Sequence, residues 1–282
     1  MSEVKISIDY EQFEADVKIV ALIEQLANSE ASATLESLII GDWGGAYEND
    51  SSEVVEALVR LNASFPKLRS LFIGDMSYEE CEVSWINQSN LAPLLTAYPE
   101  LTSLTIKGST GLELEPAQHE KLEQLSIICG GLGKDVLSSI QNGSFPRLKK
   151  LELYLGVEDY GFDGELSDIL PLIEPGKFPE LVYLGLKDSQ IQDEIAIAVA
   201  DAPILDQLHT LDLSMGTLSD EGAEILIKSS KIKGLKSLDL SYHYMSDEMV
   251  ERWKQTGLNV DVSDQQKNDD DDEDYRYPSL TE

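Results

Sequence analysis

The 282 residues include 53 acidic but only 21 basic side chains, a formal net charge of −32 at pH 7. A field of that sign repels nucleic acid and anionic lipid and favours encounter with cationic partners. Apolar residues make up 42% of the chain, enough for a sizeable core, yet no stretch nears the roughly 20 consecutive apolar residues of a membrane span. The opening MSEVKISIDYEQFEAD has neither the basic nor the apolar region of a secretory signal, so a cytoplasmic location is expected. Cys81 and Cys129 lack disulfide-framework or metal-type spacing and are read as reduced thiols.

In chain order, Val4, Ile6 and Ile8 alternate with polar residues as in a short strand. Val17, Val20, Ile23, Leu26 and Ala27 then recur at helical spacing. Residues 1–33 are therefore expected to form a strand-helix cap. From 34 to 264 the pattern Leu-x-x-Leu-x-(Leu/Ile) begins at Leu35, Leu68, Leu101, Leu122, Leu148, Leu181, Leu208 and Leu235, with spacings of 33, 33, 21, 26, 33, 27 and 27 residues. Each copy reads as one strand whose consensus leucines face a core while their neighbours face outward. Helices are expected between the strands at 54–63, 135–142, 193–202 and 220–230, with acidic residues near their starts. Phe65-Pro66, Tyr98-Pro99, Phe145-Pro146 and Phe178-Pro179 each precede a new copy, where proline stops a helix and the ring fills the space beneath the turn. Val260 and Val262 suggest a short last strand. Residues 265–282, QQKNDDDDEDYRYPSLTE, form an acidic tail with little to bury, expected to be disordered, with Tyr275-Arg276-Tyr277 as a possible docking motif.

A period in the twenties to low thirties with one strand and one helix per unit marks a leucine-rich-repeat solenoid. The expected fold is an α/β horseshoe with a parallel β-sheet on its concave face, helices on its convex face, and about eight repeats after the N-terminal cap. From Asp264 onward there are eight acids and two bases, a charge of −6, so −26 of the total belongs to the preceding body.

Motifs for chemistry are incomplete. Cys129-Gly130-Gly131-Leu132-Gly133-Lys134 resembles a phosphate loop, but Ile128 stands where glycine is needed and Asp135 where a Ser or Thr hydroxyl is needed. Asp159-Tyr160-Gly161-Phe162-Asp163-Gly164 starts like a calcium loop, yet its third position is Gly161 and its twelfth is Leu170. His119, His209 and His243 have no sequence-paired nucleophile or second ligand, and there is no G-x-S-x-G elbow. No catalytic residue, metal site or cofactor is expected.

The outward strand positions are mostly small and polar and hold no basic stripe for nucleic acid. The loops leaving the strands are rich in acids and aromatics, the combination that engages arginine, lysine or another cation. The candidate partner-binding residues are Asp42, Trp43, Tyr47, Glu48, Asp75, Tyr78, Glu79, Glu80, Glu82, Trp85, Tyr154, Glu158, Asp159, Tyr160, Asp163, Tyr183, Asp188, Tyr242, His243 and Tyr244. The competing reading makes Trp85 and Phe162 local core beneath long loops.

The segments IGDWGGAYE (40–48), LFIGDMSYEECEVSWI (71–86), LELYLGVEDYGFDG (151–164), YLGLKDSQIQDEIA (183–196) and LDLSMGTLSDEGA (211–223) resemble those of a family of uncharacterised bacterial cytoplasmic leucine-rich-repeat proteins. That family is related in fold to ribonuclease-inhibitor-like horseshoes. The resemblance implies a bacterial protein and carries over no catalytic residue. The expected function is non-enzymatic: an interaction scaffold for a protein or peptide of basic character, with neither nucleic acid nor membrane as partner. The alternatives are a metal-dependent enzyme or accessory subunit using rim carboxylates, and, by fold analogy alone, an inhibitor of a basic partner enzyme.

Overall fold

A computed structural model describes residues 2–267 and 275–281 of the chain. Its strands and α-helices run β1 (Glu3–Ile6), α1 (Tyr10–Glu14), α2 (Ile19–Ala27), β2 (Ser37–Ile40), α3 (Ser52–Arg60), β3 (Ser70–Ile73), α4 (Ala92–Ala97), β4 (Ser103–Lys107), β5 (Gln124–Ile128), α5 (Lys134–Asn142), β6 (Lys150–Gly156), α6 (Leu166–Ile169), β7 (Tyr183–Ser189), α7 (Gln192–Ala200), β8 (Thr210–Asp212), α8 (Asp220–Lys228), β9 (Ser237–Asp239), α9 (Asp247–Lys254) and β10 (Val260–Asp261). This is the α/β leucine-rich-repeat solenoid that the leucine period predicts. Strands β2 to β9 correspond to the eight motif copies. Strands β1 and β10 precede and follow them.

The chain divides into two compact units, one of Met1–Cys129 and Ser138–Leu148, the other of Gly130–Leu137 and Lys149–Thr281. In the first, β1 to β5 lie side by side, all parallel. The consensus leucines fall in register, so Val4, Leu38, Leu71, Leu104 and Leu125 form one row and Ile6, Ile40, Ile73, Ile106 and Ile127 the next. The repeat leucines and isoleucines of β2 to β5 are buried. At roughly 1.5–3 kcal/mol per fully buried aliphatic side chain, these rows are the main favourable term of the unit. The connections follow from strand polarity, because parallel neighbours require a crossover and a helix supplies it. The interval from Leu101 to Leu122 is the shortest, and there β4 is followed by β5 with no intervening helix among the described residues. Extended bridges take its place, pairing Asn87 with Thr110, Asn90 with Glu113 and Gln118 with Ser144.

In the second unit, β6 to β10 are also parallel, with Leu151, Leu184, Leu211, Leu238 and Val260 in one row. The aromatic-proline pairs have the structural role their chemistry suggests. Phe65, Tyr98, Phe145 and Phe178 are all buried, and the Tyr98 hydroxyl donates to the Leu58 carbonyl at 2.7 Å, tying the end of one repeat to the helix of the one before. Helix starts are capped by side chains: Ser219 accepts from the Glu221 N–H, Ser246 from the Met249 N–H, and Asp9 with Gln12 forms a reciprocal capping box. Among the described residues no helix is long and apolar enough to cross a membrane.

The expectation of a disordered tail over 265–282 does not hold for residues 275–281, which lie hydrogen-bonded along the strand-exit loops of the second unit. The reason is recognition by backbone and tyrosine hydroxyl groups, which composition does not register. The acidic run from Asp269 to Asp274 lies outside the described residues.

Candidate functional site

The acidic, aromatic loops separate by role once folded. In the first unit Trp43 is only 6% exposed, and its indole N–H donates to the Asn49 carbonyl at 2.8 Å. The Asp42 carboxylate accepts from the Gly44 and Ala46 N–H groups at 2.8 and 3.2 Å. These two residues therefore shape their own loop, and Trp43 is a core residue rather than a surface anchor. Asp75 pairs with Lys5 at 2.9 Å, and Glu80 accepts from the Ser77 N–H at 2.7 Å. Glu82 is half-buried. What faces outward is Tyr47, Tyr78 and Trp85, which are 50%, 63% and 59% exposed, with Glu48 and Glu79 also exposed. The Asn87 N–H and side-chain amide both donate to the Ala46 carbonyl, at 2.9 and 3.1 Å, so the loops bearing Tyr47 and Trp85 are joined. Of the two residues read as possible local core, Trp85 is at the surface while Phe162 is buried. Cys81 lies beneath its loop, and burial, with the Asp42 and Glu82 carboxylates adding, pushes its thiol up to about 11, which suppresses the thiolate.

On the outward sheet face of the second unit, one polar cluster spans β6, β7 and β8. Lys187 reaches Asp212 at 3.1 Å and Glu152 at 3.7 Å. Lys150 pairs with Glu152 at 2.9 Å. The Tyr183 hydroxyl donates to Asp212 at 2.6 Å and to Glu152 at 3.2 Å. Lys187 stands over the Tyr154 ring at 5.0 Å and Lys150 over the Tyr183 ring at 4.8 Å. Gly185 lies at the centre, where an added Cβ would meet Tyr183, Glu152 and Lys187 at 3.3 to 3.5 Å, so the missing side chain is what lets the polar groups converge. Burial alone would lower the Lys187 ammonium, but the Asp212 carboxylate, with Tyr154 and Glu152, overcomes it and holds the ammonium above its usual range. Burial, then Asp212, pushes the Tyr183 phenol upward. Two carboxylates thus face two ammonium groups, so Tyr154 and Tyr183 belong to a balanced network, and of the candidate acids in this unit Glu158, Asp159 and Asp163 are exposed. Asp163 accepts from the Lys134 N–H at 2.7 Å, at the start of α5. Tyr160 is half-buried.

A third constellation lies where β7, β8 and β9 end. Tyr183, Thr210 and Ser237 are in register, and five residues beyond each the backbone turns through the left-handed region, at Asp188 (φ 55°), Met215 (φ 69°) and Tyr242 (φ 55°). In the first unit a glycine takes a left-handed turn at the same distance from the strand start, at Gly108, five residues beyond Ser103 (φ 92°). A side chain with φ above zero costs about 1 kcal/mol, so three in successive repeats mark a place where side chains are wanted in spite of strain. Residues 275–281 lie across them. Arg276 donates to the Asp193 carboxylate at 2.8 Å and to the Thr217 carbonyl at 3.0 Å. The Tyr277 N–H donates to the Tyr244 hydroxyl at 3.0 Å, and the Tyr277 carbonyl accepts from the hydroxyls of Tyr244 and Tyr242 at 2.9 and 3.3 Å. The Ser279 N–H donates to the Met215 carbonyl at 2.8 Å, and the Leu280 N–H to Asp188 Oδ1 at 2.7 Å.

Asp188 is fully buried, and desolvation pushes its carboxyl up to about 8 against the lowering effect of the Leu280 and Ser279 N–H groups and Lys187. His243, placed by its sequence among the surface candidates, is buried. One ring nitrogen faces the Val262 carbonyl at 3.1 Å and the other accepts from the Met245 N–H at 3.1 Å, so it ties β10 to the turn after β9. Sequence reasoning missed Asp193, Met215 and Thr217. Their role arises from hydrogen bonds to residues 276 and 279, which are 59 or more positions away in the chain, so no local pattern marks them. Among the described residues no group of three or more His, Cys, Asp or Glu side chains is arranged to hold a metal ion.

No protein-family model matches the chain, and neither does any curated protein. Among solved structures, a Bacteroides fragilis protein determined by a structural genomics consortium is 37% identical, with a TM-score of 0.88, over 94% of this chain and 75% of its own. The TLR13–ssRNA13 complex aligns at 15% identity and a TM-score of 0.41, over 87% of this chain and 33% of its own. An internalin from Listeria monocytogenes aligns at 16% identity and a TM-score of 0.37, over 95% and 88%.

Proposed function

From the premise that the chain belongs to the family of the Bacteroides fragilis protein, we propose that it is a non-enzymatic binding scaffold whose partner is a protein or peptide bearing basic side chains. The observation that carries this reading is the exposure of Tyr47, Tyr78 and Trp85 on strand-exit loops that also present Glu48 and Glu79. Large rings left half or more in water are typical anchors of interface hot spots, since each offers a large apolar area with little rotamer entropy to lose. Surrounding carboxylates select a cationic partner and speed its approach, an effect that weakens as salt screens it. Cys81 and Cys129, neither in a disulfide, fit a reducing cytoplasmic setting.

The test is affinity capture with the full chain at low salt, compared with Trp85→Ala and with the charge-reversed variant Glu79→Lys, Glu80→Lys, Glu82→Lys. Capture of a basic partner that is lost in both variants supports the reading. Capture unchanged in both removes it.

A further inference from the structure

The strand-exit groove of the second unit has the features of a peptide site. Three repeats each present one left-handed residue to the same extended segment, Asp188 to residue 280, Met215 to residue 279 and Tyr242 to residue 277. Most of these bonds reach the segment's main chain, a mode that accepts many sequences and takes its selectivity from a few side chains. Two side chains supply that selectivity. Arg276 enters between the Asp193 carboxylate and the Thr217 carbonyl, and Pro278, two residues on, is buried. The groove floor also holds the fully buried Asp188 carboxyl, whose Oδ1 receives the Leu280 N–H.

We propose that this groove is a binding site for an extended partner peptide carrying arginine two residues before proline, and that residues 275–281 occupy it as an intramolecular competitor. The inference rests on the reading of the chain as a peptide-binding scaffold, and it names a second locus and a control on it. Six consecutive acids, Asp269 to Asp274, directly precede the segment. They are repelled by a body of the same sign, so the tethered occupant is held less firmly than a peptide without them. Tethering nonetheless gives it an effective concentration on the order of millimolar, which an incoming peptide must overcome.

The experiment titrates a fluorescein-labelled peptide Tyr-Arg-Tyr-Pro-Ser-Leu-Thr into the full chain and into Arg276→Ala, read by anisotropy, with thermal melts confirming that each protein folds. Arg276→Ala should bind the peptide roughly tenfold more tightly than the unmodified chain, because its own competitor is weakened. A peptide with alanine in place of arginine should bind neither. Adding Tyr244→Phe to Arg276→Ala should reduce the affinity again without altering the groove's shape. Equal affinity for the unmodified chain and Arg276→Ala overturns the proposal. So does a native dimer that dissociates on Arg276→Ala in sedimentation, since the groove would then serve a second copy. The titration needs no natural partner and does not involve Glu79, Glu80 or Glu82. Failure of capture through the first-unit loops therefore leaves it readable, and its failure leaves that capture readable.

Discussion

Arg276 and Asp193, 83 positions apart in the chain, meet at 2.8 Å, and the carboxylate that receives the guanidinium is also the organiser of a helix start. Asp193 accepts from the Ser219 N–H at 2.8 Å, the Ser219 hydroxyl at 2.6 Å and the Gly222 N–H at 3.1 Å. It thus links α7 to the first turn of α8, and Arg276 completes its shell.

The two partners should differ in cost. Arg276→Ala leaves Asp193 with its other donors and is expected to lower stability by about 1 kcal/mol or less, whereas Asp193→Ala strands the Ser219 and Gly222 N–H groups and should cost about 2–4 kcal/mol. Urea unfolding monitored by circular dichroism measures both. Equal costs would mean that the ion pair, not the helix start, dominates at this position.

Lys187 is the shared counter-charge of Asp212 and Glu152, whose side chains are 6% and 13% exposed. Lys187→Met leaves two carboxylates with little solvent and should destabilise the second unit by about 3 kcal/mol. Tyr183→Phe removes only a donor and should cost about 1 kcal/mol. Unfolding midpoints rank the two, and the reverse order would contradict the network described above.

Stability of the second unit should fall as pH rises from about 4 to about 8. The Asp188 carboxyl has its ordinary value near 3.8 in the unfolded chain, and burial in the fold pushes it up to about 8, so the folded state binds the proton more tightly. The stability this contributes is complete below pH 4 and is lost progressively until the buried group ionises near pH 8. The charged and titratable groups facing it are Lys187 and Tyr242, and burial raises the Tyr242 phenol to about 12, leaving it neutral through this window. Urea unfolding midpoints of the full chain and of Asp188→Asn, which lacks this titration, read the change. A difference between the two that stays constant from pH 5 to pH 8 would refute it.

The two loop tryptophans should behave oppositely. Trp43→Ala empties a buried site and is expected to cost about 3–5 kcal/mol. Trp85→Ala changes an exposed ring and should alter stability by no more than about 0.5 kcal/mol. Paired thermal melts check this, and a large loss for Trp85→Ala would assign that ring to the core.

Gly156 has φ 73°, and a Cβ there would sit 1.7 Å from the Gly130 carbonyl oxygen. Since the obstacle is backbone, Gly156→Ala should destabilise by more than about 3 kcal/mol, through both the collision and the left-handed torsion. Soluble expression with an unaltered unfolding midpoint would exclude this close approach.

The leucine rows, the aromatic-proline stops and the strands at either end were legible because each depends on a short-range pattern, a period of two within strands and of twenty to thirty between them. The loops were legible only as composition. Trp43 and Trp85 sit in similar acidic surroundings, and their opposite fates depend on how Asp42 curls its loop and how Asn87 joins the next one. His243 looked like a surface residue because its two backbone partners, Val262 and Met245, lie on different elements. The order of residues 275–281 was hidden for the same reason. The hydroxyls of Tyr242 and Tyr244 and the carboxylates of Asp188 and Asp193 come from different repeats, and no local pattern announces that they converge.

Asp188, Met215 and Tyr242 hold a backbone shape that glycine would adopt without strain. Replacing all three with glycine is therefore the change an engineer seeking a hardier protein would try first, and each substitution could raise the melting temperature. The hardened molecule would lose the Asp188 carboxylate and the Tyr242 hydroxyl that hold residues 275–281. At these three strand ends, selection for robustness and selection for recognition pull against one another, so a relative with glycine at all three would be expected to have given up the groove.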